Sequence, residues 1–298
     1  PATATYVDRA SGSSGPTANT VYLGGVFGTV NGVKSKGITL LDLSTGAIVA
    51  GFKPPALDGA VYSMRLTHGQ LLLAGTFTTA AGAPANGTLS LNPTTGAKTS
   101  YLAVALTGHH NYNGSGASGP VGGRAMDVSP YGTRAIIVGN FKNADGVLHD
   151  QIVMIDLGAS AATVDPNWNT SAYTARCASG AFDTYVEDVD FSPDGSYFVV
   201  VATGGSTFST NTDGTRSLCD SASRWSSADT GTSVRPTWID YTGNDTFWSV
   251  AVTGATVYAG GHERWVNNPN GNDSAGAGAV PRPGVVALTP APREIELM

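Results

Sequence analysis

Charge is what this chain has least of. Only 13% of its 298 residues are Asp, Glu, Lys or Arg, about half the share of an ordinary soluble domain. Disordered segments carry more charge and fewer aromatics, so the composition argues against disorder. The net charge is −6 and the cations are scattered, which excludes a basic stripe for nucleic acid. No apolar run approaches the roughly 18 residues of a membrane-spanning helix. Gly-x-Ser-x-Gly, a phosphate-binding glycine loop and His-Glu-x-x-His are all missing, and neither a cofactor nor a metal is expected. The chain begins at Pro1 without a signal peptide, which reads as a mature or trimmed end. Cysteine is scarce too. Cys177 and Cys219 are the two present, and in so weakly charged a chain they suggest an exported protein with one disulfide, two buried thiols being the alternative.

Glycine is the excess, with 39 residues, and Asn, Ser, Thr and Asp are plentiful. That mixture makes turns rather than helices. Hydrophobic residues reach 41%, enough for a core. One apolar motif recurs: Val21-Tyr22-Leu23-Gly24-Gly25-Val26-Phe27, Leu72-Leu73-Ala74-Gly75-Thr76-Phe77, Ile137-Val138-Gly139-Asn140-Phe141, Val200-Val201-Ala202-Thr203-Gly204-Gly205 and Val257-Tyr258-Ala259-Gly260-Gly261. Successive copies lie about 50, 64, 65 and 56 residues apart. A second strand-like motif follows each copy and ends in a polar turn, as in Leu40-Leu41-Asp42-Leu43-Ser44-Thr45-Gly46 and Thr237-Trp238-Ile239-Asp240-Tyr241-Thr242-Gly243. A third precedes it with period-two alternation, as in Val186-Glu187-Asp188-Val189-Asp190-Phe191 before the Ser192-Pro193-Asp194-Gly195 turn. Fourth strands are expected over 47–52 and 97–105. Four strands per repeat make one propeller blade, so the fold class is all-β, a β-propeller of about five four-stranded blades. The blades fall at 1–58, 59–121, 122–184, 185–245 and 246–298, with residues 3–8 as the innermost strand of the first. The tail 293–298 leaves the pattern, as in a chain cut from a longer protein.

These motifs carry a resemblance. Val-Tyr-x-Gly-Gly-x-Phe with Val30-Asn31-Gly32 after it, and Leu-Asp-x-x-Thr-Gly beyond, resembles the delta-60 repeat family of β-propeller proteins, common among exported bacterial proteins. Residues 261–271 resemble its actinobacterial branch. The resemblance implies a propeller and a secreted, extracellular location, and no particular chemistry.

The long insertions fall at 109–123, 167–185, 206–234 and 262–283, on connections that a WD-type blade places on one face. Loops of this length are usually functional or disordered. Cys177 and Cys219 lie in two of them, in adjacent blades, so their disulfide would be a structural clamp. The loop 262–283 is richest in recognition chemistry: His262, Arg264, Trp265 and Asn268 can stack on a flat ring and fix polar groups. His110 and Tyr112 form a second such cluster, although adjacent His109 and His110 lack the third ligand of a zinc site. A self-capped loop is the competing reading of both. Inner strands carry acids as well, Asp127, Asp188 and Asp190 among them, with Asp127 level with Asp190. They define an alternative catalytic set for a polysaccharide hydrolase or lyase; a solvated channel balanced by Arg65 is the plainer reading. The composite expectation is an exported binding or scaffold module that recognises a carbohydrate or protein partner at the cell surface. A purely structural element of a larger assembly is the remaining alternative.

Overall fold

A computed structural model describes residues 19–111, 118–206 and 208–291, together with the backbone of 2–7. The described residues form strands and turns and no helix. Five antiparallel sheets follow one another along the chain. The first is Ala2–Val7, Thr20–Gly25 and Ile38–Asp42. The second is Val61–Thr67, Gln70–Gly75, Thr88–Leu91 and Lys98–Thr99. The third is Gly122–Val128, Arg134–Asn140, Ile152–Leu157 and Ala162–Val164. The fourth is Val186–Phe191, Tyr197–Ala202, Ser221–Ser226 and Trp238–Tyr241. The fifth is Phe247–Val252, Val257–Gly261 and Val285–Leu288. Each runs strand to neighbouring strand in sequence order, and the first strands of successive sheets lie side by side. That is the meander of a propeller blade.

The sheets stack face to face, which explains the strongest sequence signal. Leu71 and Leu73 join the core between the first two sheets, while Leu72 and Ala74 join the next one. Ile137 faces back in the same way and Ile136 and Val138 face forward. Phe198 and Val200 look to the third sheet, Val199 and Val201 to the fifth. The second strands of the second, third and fourth sheets are therefore buried on both faces and read as continuous apolar runs rather than alternations, whereas in the fifth Tyr258 is 45% exposed.

The fourth sheet departs from the sequence expectation. Its third strand is Ser221–Ser226, and Trp238–Tyr241 is the outermost strand. The loop inserted between second and third strands thus spans 203–220 instead of 206–234. A serine-rich strand gives no apolar alternation, yet Ser223 is buried, its hydroxyl meeting Tyr173 at 2.8 Å and the Trp225 indole at 3.0 Å. The expected edge strands also shrink. Only Ile48 bridges Leu41 in the first sheet. In the second, two residues pair before Leu102 is taken over by the Ser90 hydroxyl (2.9 Å).

Short hairpins join second and third strands in the first three sheets, at 29–34, 79–84 and 143–148. Asn31-Gly32, Ala81-Gly82 and Asp145-Gly146 form their tips with φ near +50° and +80°. Such paired positive angles match the twist of tight hairpins and favour Asn, Asp and Gly. In the fifth sheet Trp265–Val266 and Val280–Pro281 form the same hairpin, with 267–279 replacing the two-residue tip. In the fourth, 203–220 takes its place. The insertions are thus elaborations of one recurrent turn.

The core between third and fourth sheets is aromatic. Phe198, 0% exposed, stacks on Trp225 with centroids 6.1 Å apart and also meets Trp168 and Phe191. Phe198→Ala is expected to cost about 3–5 kcal/mol, because the surrounding rings cannot collapse into the space left. Denaturant unfolding measures this, and a loss below about 1 kcal/mol would contradict the packing described.

Candidate functional site

The same irregularity occurs in all five innermost strands. Their pairing with the second strand shifts between residues 2 and 4, 61 and 63, 123 and 125, 186 and 188, and 247 and 249. Each shift is a β-bulge that leaves one residue without a partner: Thr3, Tyr62, Arg124, Glu187 and Trp248. The residue before the bulge pairs with Gly25, Gly75, Gly139, Ala202 or Gly261. At Gly75 a Cβ would stand 2.0 Å from the Ala60 carbonyl oxygen, and at Gly261 equally close to that of Thr246. The recurrent glycine exists because the bulged backbone occupies the space of a side chain.

Four of the bulge residues converge. Tyr62, Arg124, Glu187 and Trp248 line one cavity of about 510 Å³, with Arg65 and Asp188 deeper in. It opens where the innermost strands begin, the end from which the long connections emerge. Trp248 is 43% exposed and packs edge-on to His262 at 6.2 Å. Arg124 and Glu187 form an ion pair across adjacent strands. Burial pushes the Glu187 carboxyl up to about 7. Arg124 opposes this only in part, because its side chain is partly in solvent while that of Glu187 is buried. A smaller cavity of about 160 Å³ shares Tyr62 and Arg124 and is bounded by Asn140 and Asp183, whose side chains bond at 2.8 Å.

The channel acids are occupied by the fold. Asp127 accepts Arg65 Nε at 2.8 Å and the Phe191 N–H at 2.8 Å. Asp188 accepts the Val189 and Val250 N–H groups at 2.9 and 3.1 Å, and Asp190 accepts that of Val252 at 2.6 Å. The Phe191, Val250 and Val252 N–H groups lie on the free edges of the next innermost strands, so the carboxylates tie sheet to sheet. Burial raises the Asp190 carboxyl, the Val252 N–H lowers it, and neighbouring Asp127 raises it further.

The remaining predicted residues fall into separate clusters. Arg264 is forked on Asp245 (2.8 and 2.9 Å) and lies 4.4 Å over the Trp265 ring. Trp265 is half-buried in its hairpin opposite Pro281. Asn268 is buried, its amide donating to the Thr242 and Ser274 carbonyls (2.9 and 3.1 Å) and accepting the Gly276 N–H (2.8 Å). His110 is buried between Asp150 (Nδ1, 2.6 Å) and the Ala175 carbonyl (Nε2, 3.0 Å), joining two long loops. Tyr112 lies outside the described residues. Among the described residues of the predicted loop clusters, His262 is the one that reaches the cavity wall, through Trp248. Tyr62, Arg124 and Trp248 were invisible to an alternation count because a bulge breaks the period. The signal was the break itself, as at Val61, Ser63 and Met64, where buried positions fall at spacings of two and then one.

Cys177 and Cys219 form a disulfide with Cα atoms 6.2 Å apart. Gly204 makes room for it, since a Cβ there would lie 2.7 Å from that of Cys219. The bond joins the connection before the fourth sheet to the insertion within it, as backbone pairing of Leu57 with Ala80 does in the second sheet.

No family model matches the chain and no curated protein does, so the delta-60 likeness rests on the motifs quoted. Among solved structures, the β-propeller domain of Myceliophteria thermophila Cps50 (Swd1) is similar at 8% identity and a TM-score of 0.47, over 88% of this chain and 67% of that one. The computationally designed Ika8 protein is similar at 11% identity and a TM-score of 0.48, over 89% of this chain and 57% of its own. The class defined by the sheets themselves is an all-β protein of blade-like repeats.

Two outcomes follow. Mass spectrometry without reductant should recover one Cys177–Cys219 cross-linked peptide, and reduction should lower stability by about 2–4 kcal/mol. Two alkylatable thiols in the native protein would contradict it. The second outcome concerns pH. An unfolded Glu187 ionises near its ordinary 4.5, whereas the folded carboxyl keeps its proton to about 7. Between these values the folded state binds more protons, so stability falls as pH rises, by roughly 3 kcal/mol at most for this group. Thermal unfolding should therefore show a lower midpoint at pH 8 than at pH 5, and Glu187→Gln should reduce the difference by this group's share, Asp190 and Glu263, also raised to about 7, keeping theirs.

Proposed function

We propose that the five sheets close into a five-bladed propeller, with blades 1–58, 59–121, 122–184, 185–245 and 246–298, and that it works as an exported binding module. The disulfide supports export, since such bonds persist in oxidising compartments. The ligand enters the cavity of the innermost strands. The observation that carries this reading is the convergence of Tyr62, Arg124, Glu187 and Trp248, four different side chains at one repeated register position, on a single cavity. A fold requirement would favour one residue type there. Two aromatics and an ion pair instead offer ring faces and directed hydrogen bonds, the combination that suits a carbohydrate. His262 extends the wall, while the Arg264–Trp265–Asn268 and His110 clusters brace the loops around it.

One observation favours a second reading. A carboxyl held near pH 7 beside Asp188 is what a general acid needs, so a glycoside-cleaving enzyme would use Glu187 as the proton donor.

Glycan-array screening followed by calorimetry tests both. Trp248→Ala and Tyr62→Ala should each weaken the best glycan about tenfold or more, near 1.4 kcal/mol, without lowering the melting temperature. Trp265→Ala should leave affinity unchanged. Loss with Trp265→Ala and none with Trp248→Ala would move the ligand to the loop cluster. Release of reducing ends that Glu187→Gln abolishes while binding persists would establish the enzyme.

A further inference from the structure

The first sheet carries a third concavity, lined by no residue of the innermost strands. About 390 Å³ lies between the hairpin return at Val33–Lys34, the start of the strand Ile38–Asp42 and the segment 48–56. Lys34, Lys36 and Lys53 stand exposed around it. The whole chain contains five lysines, so this groove holds most of them in a protein of net charge −6. No Asp or Glu lines the groove. None of the three lysines is in an ion pair among the described residues. The floor is apolar: Ile38 and Phe52 are buried there, and Val33, 56% exposed, forms a wall.

The second sheet supplies an internal control. Its hairpin tip at Gly82 lies fifty residues beyond Gly32, and a corresponding groove of about 200 Å³ is lined by Pro84, Asn86, Lys98, Leu102 and Ala103. At that offset the positions of Lys34, Lys36 and Lys53 carry Pro84, Asn86 and Ala103, and Leu102 stands where Phe52 does. The apolar floor is retained while the three lysine positions are uncharged, and the groove holds a single cation, Lys98, where the first sheet has Ile48. The fold therefore needs the floor and does not need the lysines.

We propose that this groove docks an extended acidic peptide segment of a partner protein. Three unneutralised ammonium groups around one concavity repel each other and attract carboxylates. Lys34 and Lys36 are alternate residues, about 6.6 Å apart in extended chain, the spacing of alternate side chains along a bound strand. Acidic side chains of such a segment meet the lysines while the intervening aliphatic ones face Val33 and the floor, a mode in which alternate side chains read alternate pockets.

The test uses a fluorescein-labelled decapeptide of alternating glutamate and valine, titrated with the whole chain and followed by anisotropy. Saturable binding that weakens with salt is expected, and the combined Lys34→Gln, Lys36→Gln and Lys53→Gln variant should bind at least about tenfold more weakly. All three side chains are exposed, and an unchanged melting temperature for this variant excludes misfolding. Absence of binding, or equal binding by the variant, overturns the proposal. Competition by oligogalacturonate at matched charge as strong as by unlabelled peptide overturns it in favour of an anionic polysaccharide. Trp248→Ala should leave peptide binding intact, and loss there would place the peptide at the innermost-strand cavity instead.

Discussion

Face-to-face stacking of the sheets is the constraint from which the rest follows. Once the sheets stack, the second strands of the three middle sheets have a core on both sides, and each inter-sheet layer is filled by alternate residues of two neighbours. Leu71 and Leu73 point one way and Leu72 and Ala74 the other. Each full layer withdraws several large side chains from water, Trp168, Phe198 and Trp225 in the aromatic one. This is the main stabilising term available to a chain with so few charges.

Stacking also creates a difficulty at the inner edge. An innermost strand has a partner on one side only, and its other edge presents unpaired N–H groups to the next sheet. Asp127, Asp188 and Asp190 meet that need by accepting Phe191, Val250 and Val252 N–H groups across the sheet boundary. Ser63 ties the second sheet to the third from the other side, donating to the Met126 carbonyl at 3.1 Å. Acids that look catalytic in a list of channel residues are thereby spent on holding sheets together. The bulge, by contrast, frees a side chain from the ladder at the same level in every sheet, so residues there vary without disturbing the pairing.

The repeat, the strand types and the tight turns were legible because each reflects a local rule. Continuous apolar runs marked strands buried on both faces, and Ser192-Pro193-Asp194-Gly195 marked a tight turn, with Gly195 at φ +68°. The third strand of the fourth sheet was not legible, since Ser221–Ser226 buries hydroxyls that find partners only from Tyr173 and Trp225 in three dimensions. The bulge residues escaped for a related reason. Glu187 was legible as an inner-strand acid, but Tyr62, Arg124 and Trp248 share no residue type with it, and nothing in a window of sequence says that the four face one another.

The sequence by itself determined an all-β chain of repeated blades and the place where the long connections cluster. Periodicity and turn chemistry act over a few residues, and neither needs a distant partner. Tertiary structure alone decided which polar groups are free. Asn268 and Arg264 are consumed by carbonyls and by Asp245, and His110 is consumed by Asp150 and Ala175. Trp248, by contrast, remains 43% open. Whether a polar side chain is bonded internally depends on what lies about 3 Å away from it, and here those neighbours are many residues distant along the chain.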